Sequence, residues 1–240
     1  MKLLYRLYTY FFIAPCLLLS FLILIIAIPV TILITRNPGL ASRIFAVGWA
    51  RFNSFISMMK VKVFNRHLIN EKQSYVIVSN HHSLYDIYVL YGWLGIDFKW
   101  VMKKELRKAP FLGYLCEKLD HIYIDRSDSE SAIRTINEAK KKITNGTSIL
   151  FFPEGTRSAT AEMGIFKKGA FKFAIDMGLP ILPITINGTR EILAKGSLDL
   201  HPGKVNMIFH EPISTANYTD ETIEELMDNV REVMIGSIFS

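Results

Sequence analysis

The sequence predicts an α/β fold: a mostly parallel central sheet flanked by helices, preceded by an N-terminal membrane helix segment. Three observations carry this expectation. After residue 66, short apolar β-branched runs alternate with helical patterns, as strands and crossover helices do. The polar clusters that stand out fall just past the C-terminal ends of those runs, the edge where open parallel sheets hold ligands. Residues 7–35 carry no charge, a stretch longer than the roughly 20 residues that cross a bilayer core. The chain therefore divides into membrane-anchoring and interfacial helices over 1–66 and an α/β domain over 67–240.

Within the first part, Pro15 and Pro29 are expected to bend the apolar run. The run is too long for a signal-peptide core, and Thr35-Arg36 offers no small-residue cleavage site. Arg36, Arg43, Arg51, Lys60, Lys62 and Arg66 follow it, against Lys2 and Arg6 before it. That bias places the C-terminal region on the cytoplasmic side of the inner (cytoplasmic) membrane if the segment spans. Residues 44–59, with Phe45, Trp49, Phe52, Phe55, Ile56 and Met59, read as an interfacial amphipathic helix; a core helix of the globular part is the other reading.

The second part supplies strand candidates at 75–79, 98–102, 121–125, 148–152, 180–186 and 205–210. Ala132, Ile133, Ile136, Ala139 and Ile143 recur at helical spacing, and Asn145-Gly146 ends that helix. A last helix over 221–234 carries the stripe Ile223, Leu226, Met227, Val230, Val233 and Met234.

The net charge is +6 with half of the residues apolar, which suits phospholipid surfaces, phosphorylated metabolites or an acidic carrier protein. No recognition-helix, zinc or single-strand-binding signature is present, so no nucleic-acid partner is expected. Cys16 and Cys116 are too few and too far apart for a disulfide framework or metal cluster; they read as packing residues in a reducing compartment.

Four polar clusters follow four predicted strands. The first is Asn80-His81-His82-Ser83-Leu84-Tyr85-Asp86. A histidine titrates near neutral pH, and a carboxylate can fix its tautomer and stabilise the imidazolium. On one continuous helix, residues five apart point about 140° away from each other, so the pair cannot meet there. They meet if His81 sits on the turn after the strand and Asp86 in the first turn of the next helix, with Ser83 as N-cap. Ser83 to Asp86 also fits a loose capping box, in which Asp86 serves the helix end alone. The second cluster is Lys103-Lys104-Glu105 and the third Asp125-Arg126. The fourth, Phe152-Pro153-Glu154-Gly155-Thr156-Arg157-Ser158, is a charged loop framed by proline and glycine. Arg157, Arg126 and Lys103 are candidates for a phosphate, arginine as a fork and lysine as a point charge. Gly155 lets backbone approach a ligand, and Glu154 can accept from a hydroxyl or orient the arginine. Singly, Asp125-Arg126 reads as a surface ion pair and Lys103-Lys104 as a solvated face.

Asn80-His81-x-Ser83-x-x-Asp86 and 152–158 resemble the first and third signature blocks of the glycerolipid acyltransferase family, whose bacterial 1-acylglycerol-3-phosphate acyltransferases match in size and layout. Lys103-Lys104-Glu105-Leu106, Pro110, Gly113 and Ile124-Asp125-Arg126 resemble the second block, and Leu182-Pro183-Ile184 the fourth. The resemblance spans roughly residues 74–186 in order. His121 stands where the family often has a small or apolar residue.

The resemblance implies an O-acyltransferase with His81 and Asp86 as the catalytic pair. Glu154, Gly155, Thr156, Arg157, Arg126 and Lys103 would bind the glycerol phosphate. His81 would deprotonate the free sn-2 hydroxyl of 1-acyl-sn-glycerol 3-phosphate for attack on an acyl-ACP or acyl-CoA thioester, giving phosphatidic acid. This chemistry calls for no metal and no cofactor beyond the thioester co-substrate. The alternatives are another lysophospholipid or lyso-amino-acid lipid as acceptor, a thioesterase or hydrolase, or a non-catalytic lipid-binding protein. No Gly-x-Ser-x-Gly elbow supports a serine hydrolase. The family's bacterial members are associated with a shallow two-helix membrane motif, so half-insertion stands beside spanning.

Overall fold

The computed structural model describes residues 2–125, 135, 138, 143, 146–160 and 162–238. The predicted helix through Ala132 and Ala139 and the candidate Arg126 lie outside the described residues, although Ile143 is buried in the core.

Seven strands form one sheet: β1 (Met59–Phe64), β2 (Val76–Ser79), β3 (Phe98–Lys103), β4 (Ile122–Ile124), β5 (Ser148–Phe151), β6 (Ile181–Asn187) and β7 (Gly203–Phe209). Their order is β1-β7-β6-β2-β5-β3-β4. All neighbours pair parallel except β6 and β7, which are antiparallel. The six predicted strands are therefore present and the sheet is mostly parallel. β1 has no counterpart among them: its alternation of Val61 and Val63 with Lys60 and Lys62 follows directly on the amphipathic helix and reads as that helix's basic flank.

β2 lies centrally, between β5 and β6, and all four of its residues are buried. Alternation then sends its side chains to two different cores. Ile77 joins Leu150, Leu182 and Ile184 on one face; Val76 and Val78 join Ile149, Phe151 and Ile181 on the other. The second face is covered by Phe171, Phe173 and Ala174 of the helix Gly169–Met177 and by Leu226, Val230 and Met234 of the C-terminal helix Ile223–Ile235. The first face is covered by α5 (Tyr85–Trp93) and by the N-terminal helices.

Those N-terminal helices are α1 (Lys2–Tyr8), α2 (Ala14–Thr35), α3 (Pro38–Ala41) and α4 (Val47–Ile56). A π turn at Thr9–Ile13 joins α1 to α2. Pro15 explains its position, because a proline ring cannot donate to the carbonyl one turn earlier and the ladder must widen there. Together they form an unbroken apolar helix, Leu3–Thr35, long and apolar enough to cross a membrane. At 1.5 Å per residue it is about 50 Å long, against about 30 Å for a bilayer core.

One side of this helix is fastened to the domain. Tyr5 Oη donates to the Ser57 carbonyl and Tyr8 Oη to that of Ile56, each at 3.0 Å, and Ile13 is fully buried. Farther along, Leu24 and Ile28 pack on Ala41 and on Leu115 and Leu119 around α6 (Leu112–Lys118). The other side exposes Phe11, Leu18, Leu19, Ile26, Leu33 and Ile34. α4 has the same two-sided character: Ala50, Asn53, Ser54 and Ile56 are buried, whereas Phe52 and Phe55 are exposed. α4 is thus a core helix along one face, with an exposed apolar face opposite.

Candidate active site

β2 ends at Ser79, and the chain turns through residues 80–84 before α5 begins at Tyr85. His81 sits on that turn and Asp86 in the first turn of α5. His81 Nδ1 and Asp86 Oδ2 are 2.8 Å apart. The same oxygen accepts the His82 amide at 2.8 Å and the Ser83 amide at 2.9 Å. Asp86 is fully buried, so its charge is met by donors in place of water. It holds the histidine and two amides of the turn before the helix at once. Ser83 Oγ accepts from the Tyr85 amide at 3.1 Å and donates to the Leu193 carbonyl at 2.7 Å.

A carboxylate on Nδ1 fixes the proton there and leaves Nε2 with its lone pair. The ring is further immobilised by stacking on Phe152, with centroids 3.8 Å apart and planes 7° from parallel. Its backbone is gripped by the loop after β5. Glu154, 7% exposed, accepts the His81 amide on Oε1 and the Gly164 amide on Oε2, each at 2.8 Å. The Ser158 amide donates to the His81 carbonyl at 2.8 Å. Gly155 turns this loop at φ +75°, a region glycine enters without strain, and its amide closes the turn on the Phe152 carbonyl at 2.9 Å.

His81 and Phe152 line a cavity of about 440 Å³ with two chemically distinct parts. Lys103, Gly155, Thr156 and Arg157 contribute polar groups. Phe21, Leu24 and Ile28 of α2, Trp49 of α4, and Leu115, Cys116 and Leu119 contribute apolar wall. Burial pushes the Cys116 thiol up to about 11, so it stays protonated as an apolar wall group. The structure thus brings His81, Asp86, Lys103, Glu154, Gly155, Thr156 and Arg157 to one sheet edge. Lys104 pairs with Asp125, outside the cavity lining. His121 is buried against β3, where its Nδ1 accepts the Trp100 amide at 3.3 Å and its Nε2 meets Tyr91 Oη at 2.7 Å. Among the described residues no group of three or more His, Cys, Asp or Glu side chains has a metal-binding arrangement.

The acyltransferase family model matches residues 60–187, slightly more than half of the chain and the whole of this site up to the end of β6. The chain belongs to the acyltransferase family. Among curated relatives, the chloroplastic 1-acyl-sn-glycerol-3-phosphate acyltransferase BAT2 of Brassica napus is 36% identical over 160 residues, 66% of this chain and 46% of that protein. The 1-acyl-sn-glycerol-3-phosphate acyltransferase of Saccharomyces cerevisiae is 31% identical over 199 residues, 79% of this chain and 65% of that one. This chain thus spans about half the length of the plant relatives. The crystal structure of the 1-acyl-sn-glycerophosphate (LPA) acyltransferase PlsC from Thermotoga maritima superposes with a TM-score of 0.72 at 28% identity. That match covers 99% of this chain and 95% of the other.

Several residues that build the site were given no role there by the sequence. Phe152 opens the third block without a task of its own, yet its ring is the platform for His81. Phe21, Leu24 and Ile28 read as membrane span, yet they wall the cavity. Thr189 follows a strand end as the other clusters do, and its hydroxyl lies 2.5 Å from Asp86 Oδ1.

Proposed function

We propose that this acyltransferase moves a fatty acyl group from an acyl-ACP or acyl-CoA thioester to the sn-2 hydroxyl of 1-acyl-sn-glycerol 3-phosphate, forming phosphatidic acid. The observation that carries the reading is the position of the His81–Asp86 pair. It lies on a cavity with cationic groups at Lys103 and Arg157 and an apolar depth suited to a chain. The names of the family relatives supply the acceptor.

In this reading His81 Nε2 takes the hydroxyl proton as the alcohol oxygen attacks the thioester carbonyl. The new C–O bond gives a tetrahedral oxyanion; its collapse breaks the C–S bond, and His81 returns the proton to the departing thiolate. Asp86 stays ionised and stabilises the imidazolium between the two transfers. Arg157 and Lys103, with Arg126 as a further candidate, hold the phosphate, and Thr156 and Gly155 complete that end. The exposed apolar sides of α2 and α4 sit in the lipid of the cytoplasmic membrane, with the catalytic domain on the cytoplasmic side, so acceptor and product need not leave the bilayer.

The test is acyl transfer by purified protein in detergent. Lysophosphatidic acid, its phosphate-free monoacylglycerol and lysophosphatidylcholine are offered with each thioester. Phosphatidic acid formed from the first acceptor, and abolished in a folded His81→Ala variant, is the expected result. Near-wild-type turnover in His81→Ala overturns the base. Preference for another lyso-lipid overturns the acceptor, and thioester loss without acylated product points to hydrolysis.

A further inference from the structure

The carboxylate that serves His81 has a second oxygen, and the reading above gives it no task. Asp86 Oδ2 receives three donors: His81 Nδ1, the His82 amide and the Ser83 amide. Oδ1 receives the hydroxyl of Thr189, 103 residues away in sequence, at 2.5 Å. Both side chains are fully buried. At this separation an O–H···O⁻ bond is of the short, charge-assisted kind, and low surrounding polarity strengthens it.

The chain is built to deliver this hydroxyl. Thr189 opens a one-turn helix, Thr189–Ile192, directly after β6. Gly188 makes the turn at φ +96°, and a Cβ there would stand 2.2 Å from the Lys204 carbonyl oxygen, so only glycine fits. On one side of Thr189, the Asn80 amide grips β6: its Oδ1 accepts the Ile186 amide and its Nδ2 donates to the Ile186 carbonyl, each at 2.8 Å. On the other, Ser83 Oγ donates to the Leu193 carbonyl at 2.7 Å. The turn that carries His81 is thus tied to the segment carrying Thr189 both before and after it.

We propose that Thr189 is a positioning residue for acyl transfer, completing a His81–Asp86–Thr189 array. This rests on His81 being the general base. When His81 takes the substrate proton, the imidazolium faces a buried carboxylate that must stabilise the charge without accepting the proton. A hydroxyl on Oδ1 gives that carboxylate a second fixed partner besides the groups on Oδ2. It also blocks rotation of the carboxylate plane, which would release Nδ1.

Two substitutions separate hydrogen bonding from packing: Thr189→Val keeps the shape and removes the hydroxyl, whereas Thr189→Ser keeps the hydroxyl and removes the methyl. For Thr189→Val we expect kcat about ten- to a hundredfold lower, within the range general-base assistance supplies, and KM for lysophosphatidic acid changed less than about twofold. Thr189→Ser should recover most of kcat. Wild-type kcat in Thr189→Val overturns the proposal. So does a Thr189→Ser variant as impaired as Thr189→Val, which would make the methyl packing decisive. His81→Ala measured alongside keeps the two readings apart, since activity retained there sinks the base itself, whatever Thr189 does.

Discussion

Glu154 gives the sharpest test of how the site works, because the geometry and the family motif point its carboxylate at different tasks. Its oxygens accept the amides of His81 and Gly164 at 2.8 Å, and it is 7% exposed. Glu154→Gln preserves size and removes the charge. The amide oxygen can still serve one N–H, but the amide nitrogen then faces the other donor with no acceptor between them. A hydrogen bond to a charged group contributes about 1.5–3 kcal/mol, and a buried donor left unpaired costs a similar amount. Loss of one such bond and weakening of the other comes to about 3 kcal/mol. For a chain of this length that predicts a melting temperature lower by roughly 6–12 °C. If half of the cost falls on the productive placement of His81, kcat drops about tenfold. The assay is phosphatidic acid formation with kcat and KM determined separately, beside a thermal unfolding curve in the same detergent. An unchanged kcat with a raised KM for lysophosphatidic acid would refute the reasoning and return Glu154 to direct contact with the acceptor.

Three further outcomes follow from the same geometry. Arg157→Ala should raise KM for lysophosphatidic acid about ten- to a hundredfold, the worth of a charged hydrogen bond, while monoacylglycerol turnover stays as it was; equal losses on both acceptors would count against the phosphate clamp. Leu24→Trp places bulk in the apolar wall and should penalise long acyl chains over short ones by up to about fourfold per displaced methylene, read from competition between thioesters of different length. His210 donates from Nε2 to Thr185, whose hydroxyl also bonds the Met234 carbonyl, and burial lowers the His210 pKa below its ordinary 6.5. The unfolded chain therefore binds the proton first as pH falls through about 6.5, and stability drops from there until the folded-state value is passed. His210→Asn should flatten that acid dependence in melting curves between pH 7.5 and 5.5; an unaltered slope would assign it elsewhere.

The middle of the sheet was legible because β2, β5 and β6 are buried on both sides and read as largely apolar runs. β1 was not, because its lysines continue a basic stretch already explained by the membrane flank. The meeting of His81 and Asp86 was legible in its placement, since a five-residue spacing excludes a shared helix face and demands a turn. Glu154 was found by its motif, but its partners were not, because backbone amides of distant segments carry no sequence signal. Thr189 was within reach. Gly188-Thr189-Arg190 follows β6 as the other clusters follow their strands, and the strand-end rule applied a fifth time would have singled it out.

The N-terminal helix binds these threads together. Read from hydropathy it is an anchor, a device for keeping an enzyme near its substrate. In the fold it is also a wall: Phe21, Leu24 and Ile28 turn inward to the same cavity that His81 lines, while Leu18, Leu19 and Ile26 turn outward. A helix with those two faces gives the cavity a wall whose outer side is exposed and apolar. In the proposed reaction an acyl chain entering this cavity from lipid would exchange one apolar surrounding for another at little desolvation cost, and its phosphate-bearing partner would meet Lys103 and Arg157. On that proposal the uncharged run, the amphipathic α4 and the cationic strand ends would be successive parts of one passage from lipid to His81.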